Sequence, residues 1–144
     1  MSAEKTRVVD LITLIAYAFE KDEFHVNAER FFEKVEAEGF ETCVLDITAL
    51  EAEALYLTRT IRVTFKEWAF FIKAILENPK LIKIPITPEI FTEHTRLYEG
   101  YGGGHTYFDS FHGAAARILK APLVTADEIL LADKTIPTED LRAY

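Results

Sequence analysis

Short β-branched and aliphatic runs recur along this chain, each followed by a helical stretch, and this alternation restricts the fold more than any other feature. Arg7-Val8-Val9-Asp10 reads as a strand that ends on a carboxylate. Thr42 to Ile47 is a second strand, Leu81 to Ile86 a third closed by Pro85 and Pro88 around Thr87, and Pro122-Leu123-Val124-Thr125 a fourth. Thr135-Ile136-Pro137 is a weaker fifth. Between them, Leu11 to Ala18 is an apolar helix, and Asp22 to Glu38 an amphipathic one with Phe24, Ala28, Phe31, Phe32 and Val35 at helical spacing, stopped at Gly39. A long helical stretch starts at Thr48, breaks in the β-branched cluster Thr60 to Thr64, and resumes from Lys66 to Asn78-Pro79. Thr87-Pro88-Glu89 supplies a cap, a first-turn proline and a first-turn acid for a helix to about Tyr98. A last long helix runs from about Tyr107 to Leu119.

Strands separated by helices need crossover connections. The expected fold is therefore α/β: a mostly parallel sheet of four to five strands with helices on both faces, residues 1–144 forming a single domain. The 144 residues are enough to bury a substantial core. One cysteine, Cys43, excludes an internal disulfide and sits in an apolar run as a buried thiol. No leader pattern or long apolar span is visible, so a soluble, cytoplasmic protein with no membrane contact is expected. The net charge of −8 argues against broad electrostatic binding to nucleic acid, though not against an enzyme that offsets its acids with metal ions.

The placement of the acids carries the functional argument. In open parallel sheets, ligands bind at the carboxyl ends of the strands. Asp10 ends the first strand, and Asp127 ends the fourth in Leu123-Val124-Thr125-Ala126-Asp127. Glu51 and Asp109 fall in first helical turns, where Thr48 and Thr106 could cap them. Each acid alone has a structural reading, as a helix cap or a partner of the helix dipole. Together they have a chemical one, since convergent carboxylates suit Mg2+ or Mn2+, and such ions support phosphodiester hydrolysis. Glu53 competes with Glu51, but two helical positions rotate a side chain by about 200°, so only one points inward.

In that order, Asp10, then Thr48-Ala49-Leu50-Glu51, then Tyr107-Phe108-Asp109-Ser110-Phe111-His112-Gly113-Ala114-Ala115, then Leu123-Val124-Thr125-Ala126-Asp127, the chain resembles the PIN-domain family of metal-dependent ribonucleases over nearly its whole length. The resemblance implies a three-layer α/β/α sandwich and hydrolysis of RNA by a Mg2+- or Mn2+-activated water. It implies Asp10, Glu51 and Asp109 as core metal ligands, Asp127 as a fourth acid, and Thr125 hydrogen-bonding into the pocket. Many small members are VapC-like toxins held by an antitoxin, so a VapB-like partner is expected. One departure stands out: Leu11 and Ile12 follow Asp10 where the family usually has polar residues. That opens the alternative of a catalytically degraded scaffold that binds RNA or metal. A phospho-acceptor receiver domain is a remote further alternative, lacking a second acid beside Asp10 and a well-placed lysine, Lys134 being the nearest candidate.

Several other features have two readings. Arg59, Arg62, Lys66 and Lys73 share one face if their helix is continuous, as a solvated face or an RNA-backbone stripe. Phe65, Trp68, Phe70, Phe71, Ile72 and Ile75 read as core or as the surface of a homodimer. His94, His105 and His112 have no zinc-ligand spacing. His112 lies on the Asp109 face of its helix, which fits a supporting role at the acids. Gly100-Tyr101-Gly102-Gly103-Gly104 is no phosphate-binding loop, because no Gly-Lys-Ser/Thr follows it. It reads as a flexible lead into the Asp109 helix, from which Tyr101 and His105 reach toward RNA.

Overall fold

The computed structural model describes residues 3–100 and 104–144. Tyr101, and with it the reading of this residue as an RNA contact, lies outside the described residues. Among the described residues five strands, β1 (Thr6–Val9), β2 (Glu41–Leu45), β3 (Leu81–Ile84), β4 (Leu123–Thr125) and β5 (Thr138–Asp140), form one sheet in the order β3-β2-β1-β4-β5. All four neighbouring pairs are parallel. The helices are α1 (Leu11–Ala18), α2 (His25–Glu38), α3 (Thr48–Leu57), α4 (Phe65–Glu77), α5 (Pro88–Gly100), α6 (Tyr107–Leu119) and α7 (Glu128–Ala132).

The three layers follow from the two-residue period of the strands. Val9, Val44 and Val124 point into one core with Leu14, Phe31, Phe71 and Ile75, which α1, α2 and α4 supply. Their neighbours Val8, Cys43, Leu45 and Leu123 point into a second core with Ile90, Leu97, Phe111 and Leu130, from α5, α6 and α7. Both sheet faces are therefore covered, as a parallel sheet requires. Burial raises the Cys43 thiol to about 11, with Glu41 adding to the effect, consistent with an inert packing thiol.

Several local expectations need correction. The fifth strand lies at Thr138–Asp140, after Pro137 rather than through it. Pro137 contributes its carbonyl, which accepts from the Leu123 N–H at 2.8 Å, while Ile136 turns inward and is buried. Thr48 does not cap α3: Ile47 stands at the cap position, and the Thr48 hydroxyl is buried without a hydrogen-bond partner among the described residues. The capping box sits instead at α4, where Thr64 and Glu67 bond reciprocally.

The basic face also fails as drawn. The helix is broken between Leu57 and Phe65, so Arg59, Arg62 and Lys66 do not share one helical face, and Lys73 pairs with Glu77 at 4.0 Å. At the break Arg59 takes left-handed backbone, with φ 63°, which does not continue a right-handed helix.

Candidate functional site

The sheet order reverses at β1. The chain lays β2 and β3 on one side of it and β4 and β5 on the other, and the carboxyl ends of β1 and β4 flank this switch point, where a ligand crevice is the rule in parallel sheets. Val9 is in register with Val124, so the residues that follow them, Asp10 and Thr125, face one another. The Thr125 hydroxyl donates to Asp10 Oδ2 at 2.5 Å, and the Thr13 N–H donates to Asp10 Oδ1 at 3.0 Å. Asp10 is thus both the N-cap of α1 and an almost wholly buried acid of the crevice. Thr13 returns its own hydroxyl to the Val124 carbonyl at 2.9 Å, pinning α1 to β4.

The polar surroundings missing at Leu11 and Ile12 are thus supplied by Thr13 and Thr125. Leu11 is buried in the core and Ile12 faces out. The contribution of Thr13 was not anticipated, although a threonine three residues after a capping Asp is a local signal for it.

Asp127 caps α7, its Oδ1 accepting from the Ile129 and Leu130 N–H groups at 2.9 Å each. Its own N–H donates to the Thr125 hydroxyl at 3.0 Å, so Thr125 joins the two strand-end acids. Asp109 lies in the first turn of α6, its N–H bound to the Thr106 hydroxyl at 3.2 Å. Glu51 turns from α3 toward His112 and is half-buried, while Glu53 is exposed. Glu51 Oε1 is 2.8 Å from His112 Nε2, and that imidazole is fully buried on α6.

Electrostatics show that these groups share one space. Burial lifts the Asp109 carboxyl to about 6, and the negative charges of Asp127 and Glu51 push the same way against relief from Thr106 and His112. Asp10 is also raised by burial, partly offset by His112 and by hydrogen bonds from Thr125 and Thr13. At His112, burial disfavours the charged ring, yet the hydrogen bond and charge of Glu51, with Asp10 and Asp109, outweigh it and raise its affinity for a proton. The pocket is therefore acidic, with one imidazole at its centre.

Carboxylate oxygens are the donors that hard divalent cations take, so the donor set fits such an ion in kind. Among the described residues, however, no three His, Cys, Asp or Glu side chains close around one point. Glu51 is engaged by His112, and both oxygens of Asp10 by threonines.

The remaining candidates lie elsewhere. His94 stacks on Phe111 at 3.6 Å with the rings 3° from coplanar, and burial lowers its affinity for a proton. His105 forms a buried pair with Asp133, Nε2 to Oδ2 at 2.8 Å, so it is turned into the protein rather than toward RNA. No local pattern links these two residues, which are 28 positions apart. Arg59 and Arg62 line a depression at the corner between α3 and α4, and Lys66 is exposed on the first turn of α4.

A parallel sheet with carboxylates gathered across its point of reversal defines an α/β protein with an acidic crevice site. The PIN domain model matches residues 8–134, and the chain belongs to that family. A comparison with curated proteins finds no matching sequence. Among solved structures, the chain is similar to FitAcB from Neisseria gonorrhoeae, with a TM-score of 0.71 and 11% identity over 96% of this chain and 99% of that one. It is similar to VapBC2 from Rickettsia felis bound to a DNA fragment from their promoter, with a TM-score of 0.70 and 14% identity over 94% and 98% of the two chains. A third likeness is to PAE2754 from Pyrobaculum aerophilum, with a TM-score of 0.65 and 21% identity over 96% and 85%.

At these identities the likeness concerns the fold. Family membership removes the receiver-domain alternative, and Lys134 lies in a loop with its ammonium on the Leu131 carbonyl at 3.4 Å. No helix among the described residues is long and apolar enough to cross a membrane.

Proposed function

We propose that this chain is a Mg2+- or Mn2+-dependent endoribonuclease, the toxin of a toxin–antitoxin pair. One observation carries the reading: Thr125 joins the strand-end acids Asp10 and Asp127, and Glu51 meets the buried His112 of the Asp109 helix at 2.8 Å, where the charges of Asp10 and Asp109 are also felt. Clustering acids costs stability unless something offsets the charge, and His112 offsets only part of it.

In this reading Asp10, Glu51 and Asp109 hold the cation, and Asp127 serves as the fourth acid. The cation supplies charge neutralisation at the phosphate and a reactive water for hydrolysis. The chain's own residues set the geometry. Thr125 and Thr13 fix the Asp10 carboxylate, Thr106 fixes the start of α6 beneath Asp109, and His112 holds Glu51. With its carboxyl near 6, Asp109 also exchanges a proton close to neutrality.

Membership of the PIN family and the likeness to FitAcB and VapBC2 support the toxin reading, with a small VapB-like antitoxin as partner. The same reading includes a homodimer, and exposed Phe70 on α4 offers apolar surface for it.

The test is cleavage of labelled RNA in Mn2+ by the wild type and by Asp109→Asn. Cleavage by the wild type and its loss in the variant are expected. Activity that survives in the variant removes the site assignment. A wild type that binds Mn2+ in calorimetry yet leaves RNA intact is instead a non-catalytic scaffold.

A further inference from the structure

We propose that the corner between α3 and α4 is a phosphate-binding subsite for single-stranded RNA, built on Arg59 and Arg62. It rests on the nuclease reading for the identity of the strand it serves. The corner is tightly made: the Leu55 carbonyl accepts from the N–H groups of Thr60 at 2.9 Å and Ile61 at 3.2 Å, and the Thr58 hydroxyl donates to the Ala54 carbonyl at 2.7 Å. Arg59 occupies the left-handed region at φ 63°, where glycine or asparagine is the cheaper residue. An arginine held in such a conformation points to use of its side chain.

Arg59 and Arg62 open on a depression of about 550 Å3, lined further by Val63, Thr64 and Glu67. Glu67 is the one acid there, and its Oε1 is already taken by the N–H and hydroxyl of Thr64 at 3.2 and 2.9 Å. Neither guanidinium forms an ion pair or hydrogen bond through its side chain among the described residues. Of the other five arginines, Arg7, Arg96, Arg117 and Arg142 each hold a carboxylate, and only Arg30, on α2, shares this lack of an ion pair among the described residues. Two free, planar cations at one depression match the fork geometry that phosphate oxygens accept.

Aromatic rings stand beside them. Arg59 lies 6.0 Å from the Tyr56 ring, Tyr56 stacks on Trp68 at 5.1 Å, and Phe65 flanks Trp68 at 5.9 Å with two-thirds of its surface exposed. Cations for the backbone next to open rings for the bases are what single strands bind. The corner also continues the face that begins at the site, since Glu51, Leu55 and Thr58 follow at helical spacing, and the corner lies about 10 Å along α3 from Glu51. A strand crossing the acidic crevice would therefore meet the arginines beyond the reacting phosphate.

The test measures binding of a labelled single-stranded oligoribonucleotide, about twelve nucleotides long, by anisotropy in chelator so that turnover cannot intervene. The double variant Arg59→Gly/Arg62→Gln removes both cations, and glycine suits the backbone at position 59. Binding about tenfold weaker, with a salt dependence shallower by about 1.4 in log–log slope, is expected for two lost phosphate contacts. The variant Lys21→Gln/Arg30→Gln, with the same charge change on α2 and the turn before it, should bind within about twofold of the wild type. Equal losses in the two variants, or no loss in the first, overturn the subsite. If the wild type cleaves RNA while Arg59→Gly/Arg62→Gln binds normally, the subsite falls and the nuclease reading stands. If binding depends on the arginines but RNA is not cleaved, the reverse holds.

Discussion

His112 Nε2 lies 2.8 Å from Glu51 Oε1, and this one contact ties α6 to α3 across the acidic crevice. The imidazole is wholly buried, and the carboxylate is 13% exposed. Removing one member of such a pair leaves the other without its partner in a poorly solvated place. His112→Ala should therefore destabilise the protein by about 3 kcal/mol in urea denaturation, whereas Glu51→Gln, which keeps a hydrogen-bonding partner, should cost less than half as much. A His112→Ala variant as stable as the wild type would show that the contact is not made in solution.

The crevice also dictates how stability depends on pH. Asp109 goes from an ordinary 3.8 to about 6 on folding, and Asp10 moves in the same direction, so between these values the folded chain binds protons that the unfolded chain has released. Stability therefore falls as pH rises from about 4 to 6. The His112 proton is also held more tightly in the fold, so its contribution is complete below 6.5 and is lost as pH rises beyond that. His94 opposes this trend, since burial lowers its affinity for a proton and its cost to stability fades as pH rises to 6.5, while the contributions of Asp133 and Asp140, also shifted down, are lost only on acidification below 3.8. In chelator, the melting temperature should drop by several degrees between pH 5 and pH 8, each kcal/mol moving it roughly 3–5 °C in a chain of this size. Millimolar Mn2+ should flatten the slope by favouring the ionised acids. A melting temperature that climbs through this range contradicts the burial of these groups.

At Asp127 the roles of cap and site acid are separable. Asparagine caps a helix about as well as aspartate, while alanine does not. Asp127→Asn should keep wild-type stability and Asp127→Ala lose about 1 kcal/mol, with RNA cleavage reduced at least tenfold in both. Chemical denaturation and a cleavage assay on the same preparations read the two effects. Full cleavage by Asp127→Asn would leave this residue a cap alone.

Most of the fold was legible because its determinants are local. β1 and β4 are short β-branched runs, and α6 runs over Tyr107–Leu119 as expected because Thr106 caps it and the chain turns left-handed at Lys120. Asp10 and Asp127 were visible because strand ends are readable, whereas helical rotation showed only that Glu51 and Glu53 cannot both point inward, and the Thr-Ala-Leu-Glu pattern favoured Glu51. What was missed depends on distant or conformational causes. The Thr48 hydroxyl cannot cap α3 because Ile47 already has helical backbone angles. The arginine face dissolved at the break between α3 and α4, which the β-branched cluster Thr60 to Thr64 signalled, while the left-handed backbone at Arg59 had no local signal. The His105–Asp133 pair joins residues that only the folded sheet brings together.

Asp10 ends a strand, starts a helix and contributes an acid to the crevice with a single carboxylate. Drift at this position is therefore constrained in a particular way. A lineage abandoning chemistry could shed Asp109 at little architectural cost, since Thr106 caps α6 without it. Replacing Asp10 would unseat α1 and strand the Thr125 hydroxyl in the interior. Relatives that have lost activity but kept this fold are thus expected to retain an acid or amide here, so the residue surviving longest at such a site reports on architecture, and the one lost first reports on catalysis.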